Sequence, residues 1–83
     1  MKLELLTTEH CGLCEQALDL LLSMPEMAGF ELTVIDIANS DTLLDRYAPL
    51  IPVLKIAEQE LCAPFGHAEI VRWLDEIANV RNS

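Results

Sequence analysis

The chain has 83 residues, 52% of them apolar, which is enough for one small hydrophobic core and too little for two. Fourteen acidic residues against five basic ones leave a net charge of -9, so binding to nucleic acid or to an anionic membrane is electrostatically disfavoured. Three cysteines, an odd number, exclude a fully paired secreted framework and fit a reducing compartment, while no window has the length of a membrane span and the start lacks a signal-peptide core.

In chain order, Leu3, Leu5 and Leu6 form a short apolar run that ends at Thr7-Thr8 and reads as a central strand. The period then changes. Leu13, Ala17, Leu18, Leu21 and Leu22 fall at helical spacing against Glu15, Gln16, Asp19 and Ser23, which predicts an amphipathic helix from Cys11 to about Met24, punctuated by Pro25 and Gly29. "FELTVIDI" alternates Phe30, Leu32 and Val34 with Glu31 and Thr33, the period of a half-covered strand. Asn39 or Ser40 caps a short helix with Leu43, Leu44 and Tyr47 on one face, and Pro49 stops it.

"IPVLKIA" and "ELCA" read as two strands joined through Glu58 and Gln59 as an antiparallel hairpin, with Cys62 a buried small hydrophobe in the second. The last helix carries Ile70, Val71, Trp73, Leu74, Ile77 and Ala78 on one face and Glu69, Arg72, Asp75, Glu76 and Asn79 on the other, and its end, Arg81 to Ser83, is expected to fray. Trp73 and Tyr47 are read as core residues, and His10 and His67 as loop or cap residues. The order β-α-β-α-β-β-α predicts an α/β domain over residues 1–83, in which a parallel βαβ unit is extended by antiparallel strands and covered by helices on both faces.

The residues with chemistry are Cys11 and Cys14, in "EHCGLCE" at the junction of the first strand and first helix. A C-x-x-C beside a βαβ pattern is what a thiol-disulfide site needs. Zinc is the rival chemistry, but a structural site wants four ligands, and the set Cys11, Cys14, Cys62, His10 and His67 contains no second C-x-x-C. Haem attachment through C-x-x-C-H fails at Glu15.

With C-G-L-C placed there, and Ile51-Pro52-Val53 opening the third strand, the chain resembles the thioredoxin fold in its minimal, glutaredoxin-like form over essentially its whole length. The resemblance implies a four-stranded mixed sheet in spatial order 2-1-3-4, a C-x-x-C active site, and a cis-proline at Pro52 facing it. The sequence departs from the pattern in three places. Glutaredoxins usually carry proline and tyrosine between the cysteines, where this chain has Gly12 and Leu13; thioredoxins usually have tryptophan and proline where this chain has His10 and Leu13. Instead of a Gly-Gly pair and an acid after the last strand, which would hold the glutamyl end of glutathione, it has Ala63-Pro64-Phe65-Gly66-His67.

A thiol attacks a disulfide as thiolate, and a helix start stabilises that charge through unpaired N–H groups and the helix dipole. Cys11 is therefore the expected nucleophile, opposed by Glu9 and Glu15 and helped by protonated His10. Cys14, one turn on, is the expected resolving cysteine. Gly12 is expected to ease the backbone between them, and Gly12, Leu13, Ile51 and Pro52 to contact substrate, with the Ile51 N–H and C=O free to pair with an extended peptide.

The expected function is thus thiol-disulfide electron transfer without a cofactor, by a cytoplasmic monomer acting on protein disulfides or low-molecular-weight thiols. Glutathione is the candidate co-substrate, and a helix start at Gly66-His67 would offer N–H groups to one of its carboxylates. The alternative is a binding or adaptor module that uses the same groove with little or no turnover.

Overall fold

The computed structural model describes the backbone of residues 1–82 and the side chains of residues 1–79. The strands are β1 (Lys2–Thr7), β2 (Glu31–Asp36), β3 (Val53–Ile56) and β4 (Gln59–Cys62), and the α-helices are α1 (Gly12–Ser23), α2 (Asp41–Tyr47) and α3 (His67–Asn82). Two single 3₁₀ turns, Pro25–Met27 and Ile37–Asn39, were not expected from the sequence. Of the residues expected to fray, Arg81 and Asn82 still have helical backbone, and Ser83 lies outside the described residues.

The sheet order is β2-β1-β3-β4, as the resemblance implied, with β1 parallel to β2 and antiparallel to β3, and β3 antiparallel to β4. The pleat divides the apolar residues between two faces. Leu3 and Leu5 of β1 with Leu54 and Ile56 of β3 pack under Ala17 and Leu21 of α1 and Ile70, Trp73 and Ile77 of α3. Leu6 and Val53 point the other way, against Ile37 and Tyr47, so α2 covers the opposite face. On that face Lys55 is in register with Glu4 on one side and Glu60 on the other, an alternation of charge across three strands.

The helix boundaries follow their caps. Cys11 caps α1 and Ser40 caps α2, its hydroxyl accepting from Leu43 N–H at 3.3 Å. Gly29, at φ +92°, supplies the left-handed residue that turns the chain into β2.

Several expectations need correction. Leu13 and Leu22, expected on the buried face of α1, are 61% and 71% exposed, because the stripe that meets the sheet runs through Cys14, Ala17 and Leu21 and leaves both on its flanks. Ala78 is likewise exposed on the flank of the α3 stripe. Val34 is 49% exposed because β2 is an edge strand with α1 reaching only part of it. The hairpin turn is Ala57-Glu58, one residue earlier than expected: Gln59 already pairs with Ile56, and Ala57 adopts φ +54°, the positive value tight hairpins require at their first turn residue. Cys62 is half-buried beside Tyr47 and Val53, not buried.

This packing predicts a sharp contrast between two leucines. Leu54→Ala, at a position with 0% exposure on a central strand, is expected to lower unfolding free energy by about 2–5 kcal/mol. Leu22→Ala is expected to change it by less than about 0.5 kcal/mol. Urea unfolding followed by circular dichroism measures both; equal losses would place Leu22 in the core.

Candidate active site

β1 delivers the chain to the site at Thr7, and the loop reaches Cys11 through His10, whose φ of +58° is a left-handed conformation that histidine adopts more readily than most residues. Cys11 itself is extended (φ −109°, ψ 103°), and its Sγ accepts the Cys14 N–H at 3.2 Å. Its carbonyl accepts the Glu15 N–H at 3.1 Å, closing the first turn of α1. The sulfur therefore occupies the place where a helix presents unpaired N–H groups and the positive end of its dipole. A thiolate there is a stronger acceptor than a thiol, so the same N–H that caps the helix favours the charged nucleophile.

Cys11 and Cys14 are joined as a disulfide with their Cα atoms 5.2 Å apart, and Cys62 is a free thiol. The two bridged sulfurs differ in access. Cys11 is half-exposed, whereas Cys14 is only 4% exposed beneath the helix. Gly12 does not have the role expected of it: its φ is ordinary, and a methyl group added there would meet nothing within 4 Å.

Opposite the helix start stands the loop before β3. The Ile51-Pro52 peptide is cis, as the resemblance implied. The loop is anchored from α2, where the carbonyl of Tyr47 accepts the N–H groups of Leu50 at 2.8 Å and Ile51 at 3.1 Å. The Ile51 N–H is thus engaged within the chain. Of the two main-chain groups expected to meet an extended peptide, only the Ile51 carbonyl is left for that contact. On the far side of Pro52, its carbonyl accepts the Ala63 N–H at 3.1 Å, which ties this loop to the end of β4.

Between these walls lies a trough of about 250 Å³ lined by Leu13, Gln16, Pro52, Pro64 and Phe65, with Ala17, Leu20 and Ala63 behind them. Leu13 and Pro52 were expected here; Gln16, Pro64 and Phe65 were not. The signal for the last two was the Ala63-Pro64-Phe65 departure from the Gly-Gly-acid pattern, which replaces a flexible polar loop with bulk. A shallower hollow of about 100 Å³ on the other side of the bridge includes Cys11, Cys14, Glu15 and Val34.

At the start of α3, Glu69 Oε1 accepts the Gly66 N–H at 2.9 Å, the backward half of a capping box, so one of the N–H groups expected to receive a carboxylate is taken by the chain's own acid. His67, exposed at the first position of the helix, has its Nε2 3.0 Å from Glu26 Oε2. On the opposite face Arg46 pairs with Glu60 at 3.1 Å and lies over the Tyr47 ring, 5.2 Å from its centre. Burial, and then the Glu60 carboxylate, push the Tyr47 hydroxyl above its usual pKa, with Arg46 partly opposing them. Among the described residues, no three histidine, cysteine or acidic side chains converge as metal ligands.

Comparison with known proteins agrees with this arrangement. Residues 2–75 match the family described as Glutaredoxin-like domain (DUF836). The X-ray structure of a structural-genomics target protein from X. campestris is 28% identical and superimposes with a TM-score of 0.77, covering 89% of this chain and 96% of that one. Thioredoxin 1 from the thermophilic eubacterium Thermosipho africanus, 16% identical, covers 100% of both chains with a TM-score of 0.71. No curated protein matches the chain significantly. The fold is thioredoxin-like.

Gly12→Ala meets open space at an ordinary φ, so it is expected to fold and to be about 0.4–1 kcal/mol more stable; a loss of stability in thermal unfolding would contradict that. The raised Tyr47 pKa means that the unfolded chain releases this proton first. Its contribution to stability is therefore complete below about pH 10 and is lost as pH rises further. Tyr47→Phe is expected to flatten the alkaline limb of the melting temperature plotted against pH, and an unchanged limb would show that other groups set it.

Proposed function

Because the chain belongs to the glutaredoxin-like family, we propose that it is a cytoplasmic thiol-disulfide oxidoreductase in which Cys11 attacks and Cys14 resolves. The observation that carries this reading is the unequal access of the bridged pair: a reachable sulfur at the helix N-terminus, and a buried one a turn behind it. An odd number of cysteines supports a reducing compartment, and among the described residues no helix is long and apolar enough to cross a membrane.

In the reducing direction, the Cys11 thiolate attacks one sulfur of the substrate disulfide. The substrate S–S bond breaks, one substrate sulfur leaves as thiolate and takes a proton from solvent, and a mixed disulfide remains on Cys11. Cys14 then loses its proton and attacks Cys11 Sγ, so the mixed bond breaks and the second substrate sulfur leaves and is protonated. Two electrons have passed to the substrate, now two thiols, and the protein holds the Cys11–Cys14 bridge. A second dithiol resets it by the reverse exchange. The two sulfurs carry both electrons, so the reaction needs no cofactor.

The roles are separable by mutation. Cys11→Ser is expected to slow disulfide reduction at least about a hundredfold. Cys14→Ser is expected to attack normally but to accumulate a mixed disulfide, visible as a mass increment equal to one substrate thiol. Mixed disulfide on Cys11→Ser instead would reverse the assignment.

A further inference from the structure

The trough beside the bridge is the size of a side chain. Its volume of about 250 Å³ is below the roughly 300–1,000 Å³ of clefts that bury a whole small molecule. Its walls are Leu13, Pro52, Pro64 and Phe65, and Gln16 is the one polar side chain among them. Leu13, adjoining the dithiol in sequence, is 61% exposed.

The charge around the dithiol is mainly acidic. The segments that build the site, residues 7–16, 47–52 and 62–66, contain no lysine or arginine, one histidine, His10, and two exposed glutamates, Glu9 and Glu15, which flank the cysteines in sequence outside the trough lining. Several groups elsewhere that could receive an anionic ligand face the chain's own acids. The Gly66 N–H is held by Glu69, His67 by Glu26 and Arg46 by Glu60, while Lys55 lies between Glu4 and Glu60. A small thiol with two carboxylates, such as glutathione, therefore meets acids beside the dithiol and no lysine or arginine in the trough lining.

Resting on the redox reading above, we propose that the trough is a side-chain subsite for protein substrates: an extended segment whose reacting cysteine is next to an apolar residue and flanked by basic ones. The apolar side chain seats against Leu13, Pro64 and Phe65, where leaving water favours it. The basic flanks answer Glu9 and Glu15, which adds mainly to the rate of encounter. This names the substrate class for the exchange already described, and the bonds made and broken at sulfur are unchanged.

The test is single-turnover reduction of short symmetrical peptide disulfides by the reduced protein, with products resolved by chromatography. The peptides carry Leu, Gly or Asp beside the cysteine and either Lys or Glu as flanks; glutathione disulfide and the small neutral hydroxyethyl disulfide are run beside them. The Leu peptide with Lys flanks is expected to react at least about tenfold faster than its Gly counterpart, and faster still than the Asp peptide or glutathione disulfide. The advantage of Lys flanks over Glu flanks shrinks as salt is raised.

Leu13→Asp, at an exposed position that does not threaten the fold, is expected to bring the Leu-to-Gly rate ratio close to one. Phe65→Ala is expected to lower the same ratio, in protein verified as folded by circular dichroism. Equal rates for all peptides, glutathione disulfide as the fastest substrate, or a Leu preference that survives Leu13→Asp would each overturn the subsite while leaving the redox reading intact. No reaction with any disulfide, hydroxyethyl disulfide included, would overturn the redox reading and the subsite with it.

Discussion

Leu5 and Leu6 are neighbours in the chain and are buried on opposite faces of the same strand. β1 therefore buries apolar residues on both faces, with Lys2 its only exposed residue and Glu4 half-buried, and a slip of one residue against β2 or β3 would turn Leu3 and Leu5 away from α1 and α3 and Leu6 away from α2. That constraint determines the site. The pairing of Leu6 with Val53 places the end of β1 beside the start of β3, so the loop carrying Cys11 and the loop carrying Pro52 leave the sheet at the same edge. Neither loop needs to find the other, because the strands that carry them are held in register by the core.

The second ordering influence is electrostatic. A chain of net charge -9 has carboxylates to spare, and several of them are spent on its own cations and N–H groups. Glu69 caps the start of α3, Glu26 meets His67, and Glu60 meets Arg46. Exposed pairs of this kind contribute little to stability individually. Their larger effect is on recognition, since each removes a group that an anionic ligand would otherwise find. At the start of α1, by contrast, the Cys14 N–H is accepted by the sulfur of Cys11 and by no carboxylate.

The element order, the cap at Asn39 or Ser40 between which the structure selects Ser40, the core roles of Trp73 and Tyr47, and the helix beginning at the C-x-x-C were legible from periodicity and cap chemistry alone. The spatial order of the strands and the cis peptide at Pro52 came from resemblance, since βαβ and hairpin rules leave more than one placement open. What periodicity could not convey was depth. Leu13, Leu22 and Ala78 lie on apolar stripes yet face outward, because a stripe gives direction and says nothing of how far the neighbouring layer extends. The Ala57 turn carried no glycine or asparagine to flag its positive φ. The engaged Ile51 N–H depends on how α2 ends, a tertiary detail invisible in the sequence, whereas the Gly66–Glu69 cap was readable as an N-cap residue followed three positions later by glutamate.

Depth matters most at Leu13. An apolar side chain held largely in water beside Cys11 gains nothing in the free protein, and the core of α1 is complete without it, through Cys14, Ala17 and Leu21. Helix propensity would be met as well by any straight-chain polar residue in its place. The same holds across the trough, where Pro64 and Phe65 stand in the position at which the glutaredoxin pattern has small and acidic residues. Apolar residues on three separate segments converge on one trough beside the Cys11 loop. A surface shaped by solubility alone has no reason to place its apolar residues together at that point, whereas a surface that must hold part of another polypeptide while sulfur exchange takes place does.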